Sequence, residues 1–106
     1  MNLQLKNLKG EDVTIKFNLR TELIFEEGMS KSFTGINTSE WIFHMYAAVL
    51  ANTNDTFIDF TEFTDWLSLP ENIMYLYDYI EAYTEYQKNI IELRKKAKKK
   101  NSKKTK

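Results

Sequence analysis

One histidine, His44, stands four residues after Glu40. On an α-helix that spacing puts imidazole and carboxylate on one face, where the two could share a metal ion. A metal site needs three or four ligands, however, and the chain has no second histidine and no cysteine to complete one. His44 therefore reads as a histidine packed or solvated on a helix side, and no metal or other cofactor is expected. Carboxylates are more plentiful, with Glu26, Glu27, Asp55, Asp59, Glu62, Asp65, Asp78, Glu81 and Glu85 as the pool for general acid–base work. Such work needs a cleft, a partner and a displaced pKa, and the sequence marks none of these. Asp78, Glu81 and Glu85 fall on one face of a helix as a solvated stripe. Residues 55–62 lack the glycine and regular oxygen ligands of a calcium loop. Gly10, Gly28 and Gly35 are too scattered to cradle a phosphate. Catalysis is not expected.

Binding chemistry is better supplied. Tyrosines at 75, 77, 79, 83 and 86 could stack nucleobases, but helical geometry spreads 75, 77 and 79 around the circumference and favours core and rim packing. Those that face outward are candidates for a protein contact. The end of the chain is basic: Arg94, Lys95, Lys96, Lys98, Lys99 and Lys100 lead a segment, 94–106, with nine basic groups and no acid. Residues 1–93 carry six basic side chains against fifteen acidic ones, a balance of −9 that the zero net charge conceals. A basic end would attract any polyanion, yet no recognition motif accompanies it, and two arginines among fifteen basic residues offer few bidentate forks.

A chain of 106 residues is one domain at most. Two tryptophans, six tyrosines and seven phenylalanines can fill its core without disulfides. The absence of cysteine is compatible with a reducing compartment. No apolar run has the length of an export signal or approaches the ~20 residues of a membrane span, so a soluble cytoplasmic protein is expected.

The elements follow from periodicity. Leu3 and Leu5, then Val13, Ile15 and Phe17, alternate with polar residues around the turn formers of 7–12, which predicts a β-hairpin over 1–17. Asn18 is a candidate cap for a first helix with Leu19, Leu23 and Ile24 on its buried face and Gly28 closing it in a left-handed conformation. A connector over 28–38 should tack down Phe33 and Ile36. Trp41, Ile42, Met45, Tyr46, Val49 and Leu50 mark a second helix to about Asn52, with Phe43, Ala47 and Ala48 making its other side apolar or small as well, the pattern of a central helix. Thr53, Asn54 and Asp55 break it. Phe60, Phe63, Trp66 and Leu67 give a short third helix. Ser68 to Glu71 has the form of a capping box for a long fourth one, whose stripe runs from Ile73 through Leu76, Tyr77, Ile80 and Tyr83 to Ile90 and Ile91. The fold class is mainly α: about four helices in a compact bundle, a globular unit over 1–93 comprising hairpin and helical body 18–93, and a disordered basic tail over 94–106.

This order of features resembles the small tail assembly chaperones of long-tailed bacteriophages and prophages. There too a short hairpin leads, through a segment similar to Val13-Thr14-Ile15-Lys16-Phe17-Asn18-Leu19-Arg20-Thr21-Glu22-Leu23, into a helical body and a charged tail. The resemblance implies a helper in virion morphogenesis, acting in the host bacterial cytoplasm. It would coat the hydrophobic tape measure protein and keep it soluble until tail tube protein polymerises around it. It also implies a translational frameshift near the A-rich codons that Lys95-Lys96 and Lys98-Lys99-Lys100 would use. The contact residues expected on an exposed apolar patch, or under a self-association that covers it, are Trp41, Phe43, Tyr75 and Tyr79. The alternative is a small nucleic-acid-associated regulator that uses the lysine-rich tail.

Overall fold

The computed structural model describes residues 2–6, 12–53 and 59–104. Strands β1 (Asn2–Lys6) and β2 (Asp12–Lys16) pair antiparallel, with Leu3 opposite Ile15 and Leu5 opposite Val13. The expected turn residues 7–11 lie outside the described residues, as do Asn54 and Asp55. Val13 and Ile15 are buried while Asp12 and Lys16 are exposed, the alternation of a strand with one face on a core. A two-stranded ribbon is marginal without a helix to lie on. β2 lies on α2 (Thr38–Asn52) and β1 on α4 (Ile73–Lys104). The outer edge of β2 is closed by Asn52, which accepts from the Lys16 amide at 2.9 Å and donates to the Lys16 carbonyl at 3.0 Å. One side chain thus stands in for a third strand.

Asparagine and aspartate set the helix starts. Asn18 caps α1 (Leu19–Met29), Asn37 caps α2, and Asp59 caps α3 (Phe60–Leu67), each accepting from the amide three residues on. α2 is the central helix, as its pattern predicts, and touches β2, α1, α3 and α4. Ala47 and Ala48 are fully buried there, and their small size lets neighbours approach closely. Ile15, Met45, Phe63, Leu67, Leu76 and Tyr79 form the middle of the core.

Four expectations are corrected. In α1 the inward residues are Thr21 and Phe25, while Leu19 is 73% and Leu23 56% exposed. Gly28 sits inside α1, and Ser30 provides the left-handed cap at φ 57°. The glycine serves packing: a Cβ there would run into Cζ of the Phe43 ring. Ile36 is 82% exposed, so of the two expected side chains only Phe33 packs against the core. Ser68 does not cap the long helix but closes α3, its amide and hydroxyl both donating to Thr64 O. A turn then lets buried Asn72 donate to Trp66 O at 2.9 Å, and α4 begins at Ile73.

α4 continues through Lys104 where a disordered tail was expected. No glycine or proline interrupts 73–104, Lys, Arg and Ala are good helix formers, and cations suit a helix C-terminus. Its 32 residues extend about 48 Å in a molecule of 57 × 28 × 26 Å. Every side chain from Gln87 to Lys98 is exposed, so the basic end is solvated as expected although helical.

Candidate functional site: an apolar groove over a buried polar network

Phe25 pulls the inner face of α1 onto α2, and the same turn of helix brings Glu22 to His44. His44 is completely buried on α2, between Phe25, Phe33 and Tyr83. Its Nε2 lies 2.9 Å from Glu22 Oε1 and its Nδ1 2.6 Å from the Tyr79 hydroxyl. A carboxylate only accepts, so Nε2 donates to Glu22, and the Tyr79 hydroxyl also donates to the His44 carbonyl at 3.3 Å. Tyr83 donates its hydroxyl to the same oxygen of Glu22. The Tyr79 and Tyr83 rings stack with centroids 6.2 Å apart, one helical turn along α4. Two helices that flank α2 are thereby joined through a polar chain with every buried side-chain group satisfied among the described residues.

Burial opposes the Glu22 charge, but hydrogen bonds from His44 and Tyr83 and the electrostatic effect of His44 outweigh it and hold the carboxyl below its ordinary pKa. Burial raises the phenols of Tyr79 and Tyr83 well above theirs, and the charge of Glu22 adds to it. Both tyrosines therefore stay protonated donors. The network's chemistry is to fix α1, α2 and α4 in one register, with a single carboxylate held ionised.

That carboxylate, its side chain 30% exposed, lines a groove of about 430 Å³. One wall is Asn18, Leu19 and Glu22 at the start of α1; the other is Tyr83, Tyr86, Gln87, Ile90 and Ile91 on α4. Among the described residues no Cα of α1 comes within 8 Å of a Cα of α4, and the space between their side chains is the groove. Leu19, Ile90 and Ile91 are exposed, as are Leu23 on α1 and Leu93 on α4. Apolar side chains so placed with no cover are a feature of surfaces that meet a partner.

The expected contact residues lie elsewhere. Tyr79 is fully buried in the network and cannot meet a partner in this conformation. Trp41 is half-buried against Phe33, its Nε1 donating to Gly35 O at 3.1 Å. Phe43 packs on Phe25, Tyr46 and Phe60. Tyr75 stacks on Trp66 at 5.8 Å with rings nearly parallel. None of the four lines the groove. Arg94, Lys95, Lys96 and Lys98 are exposed on the free end of α4, and Lys99 and Lys100 continue that helix.

Glu40 and His44, whose spacing put forward a metal pair, turn to different partners. Glu40 is buried and accepts from the Thr34 amide at 2.8 Å and the Thr34 hydroxyl at 2.7 Å, with Lys31 at 3.3 Å. Those bonds, the Thr34 amide foremost, lower its pKa. They tie the connector to the start of α2. Among the described residues no three metal-ligating side chains gather.

No protein-family model, curated protein or solved structure matches this chain. Among the described residues no helix is long and apolar enough to cross a membrane.

The sequence does not single out Glu22, and its periodicity puts Leu19 on the apolar face of α1 and Ile90 and Ile91 on the apolar stripe of α4. A signal was present for the isoleucines: they lie at the end of the apolar stripe, close to the basic run that starts at Arg94.

Proposed function

We propose that this chain is a tail assembly chaperone of the long-tailed phage type, acting in the bacterial cytoplasm without catalysis. It takes an apolar helical segment of the tape measure protein into the groove between α1 and α4 and holds it until tail tube subunits assemble around the client. The observation that carries this reading is the uncovered groove formed by Leu19, Ile90 and Ile91. Its form suits the apolar face of a helix, a common mode of peptide recognition. The order of hairpin, helical body and charged end, on which the family resemblance rests, supports the phage assignment. Many copies on one long client would give avidity from weak single sites, which later assembly can displace.

Co-expression with the tape measure protein of the parent element tests the reading. The client stays soluble with the wild-type chain and precipitates with Leu19→Glu or Ile90→Glu, both at exposed positions that the fold tolerates. Client solubility that is the same with or without this chain overturns it.

One observation favours a second reading. Arg94, Lys95, Lys96 and Lys98 stand exposed on one continuous helix that could follow a phosphate backbone. Nucleic-acid binding would weaken steeply between low and physiological salt, whereas apolar client binding would not.

A further inference from the structure

The face of α4 turned away from the groove carries a regular charge pattern. Glu81, Glu85, Lys88, Glu92 and Lys95 recur at alternating steps of four and three, and residue 99, the next position, is a lysine. That spacing gathers them into one seam along the helix. All five described side chains are exposed. Asp78, Glu81 and Glu85 line a common shallow depression at the seam's acidic end. The opposite end is basic, and the straight helix holds the two ends apart, so they cannot meet within one copy.

Reading the seam backwards with its signs reversed reproduces it. Two α4 helices laid antiparallel and crossing at Ile90 set Glu85 against Lys95, Lys88 against Glu92, and Glu81 against position 99, each pair occurring twice. We infer that this face of α4 is a docking surface for a second copy of the chain, giving a two-fold antiparallel α4 pair. The match in sign identifies the occupant, because a surface that complements itself about a two-fold axis is what an isologous dimer requires. Among the described residues the approach is open. The body of each copy packs on the Leu76, Tyr79 and Tyr83 side of its own α4, away from the seam. The overlap, residues 81–99, is about 27 Å long. Both grooves stay open, so the pairing is independent of the client reading and would double the number of client sites per particle.

A seam of exposed ion pairs gives a weak, salt-sensitive dimer. Glu85→Lys and Lys95→Glu each set two like-charged pairs in the dimer. With each pair changing by about a factor of five, either weakens association roughly 25-fold. Sedimentation velocity on the full chain at low salt is the test, with circular dichroism to show that the variants keep their helix. The wild type sediments as a dimer and each single variant as a monomer. An equimolar mixture of the two variants sediments as a dimer again, because both crossed pairs then join opposite charges. Residues 85 and 95 are about 15 Å apart on one helix, so this rescue cannot arise within a single copy. A monomeric wild type, single variants that dimerise like the wild type, or a mixture that stays monomeric overturns the proposal.

Discussion

Glu22→Ala removes the joint between α1 and the rest of the molecule, and its cost can be worked from the contacts. His44 Nε2 loses its acceptor in a fully buried position, and the Tyr83 hydroxyl loses its acceptor as well. Each bond is charge-assisted and would contribute about 1.5–3 kcal/mol. The groove admits water to part of the space vacated, which offsets some of the loss, so the net destabilisation is about 3 kcal/mol. For a body of this size that is a fall in Tm of roughly 12–24 °C. Urea unfolding followed by circular dichroism measures it at neutral pH. The pH dependence gives a second reading with a definite sign. The Glu22 pKa is lowered on folding, so its charge contributes fully above the unfolded carboxyl value of about 4.3 and is lost as pH falls through the lower folded value. The stability gap between wild type and Glu22→Gln therefore narrows as the solution is acidified through that range. Glu22→Ala within about 0.5 kcal/mol of wild type at neutral pH, or a gap to Glu22→Gln that does not narrow in acid, would refute the network's structural role.

Two further predictions concern packing and the hairpin. Gly28 is an exposed glycine inside a helix, where alanine ordinarily stabilises by up to about 1 kcal/mol; here the clash with Phe43 costs about 1–3 kcal/mol, so Gly28→Ala destabilises by about 1 kcal/mol. In a Phe43→Ala background, chemical denaturation should show the same substitution stabilising. Asn52→Ala frees both backbone groups of Lys16, costs about 1–2 kcal/mol and speeds amide exchange at Lys16 more than in α3; equal exchange in both variants would show that Asn52 does not hold the strand edge.

Much of the architecture was legible because it follows from local signals. The alternation of Val13 and Ile15, the cap Asn18, and the nearly all-apolar second helix each specify an element without long-range information. Errors arose where a residue's role depends on what lies across from it. Leu19 and Leu23 look inward on a helical wheel, yet α1 turns Thr21 and Phe25 to α2, and in that rotation Glu22 meets His44. Gly28 resembles a helix stop until the Phe43 ring is seen beside it. The candidate site was less readable than the fold. Apolar spacing identifies the stripe that includes Ile90 and Ile91, but how far the body covers that stripe is a tertiary fact. Tyr79 illustrates the converse: a tyrosine that composition offers to a partner is consumed by a histidine 35 residues earlier.

The central claim, that the α1–α4 groove receives an apolar helix of the tape measure protein, is tested most directly by placing a photo-crosslinking amino acid at position 90 and, as a control, at Glu62 on α3, in cells making the parent element. Position 90 is expected to crosslink to apolar helical segments of a single long client, and position 62 is not. Equal client crosslinking from both positions, or no client adduct at position 90, would contradict it.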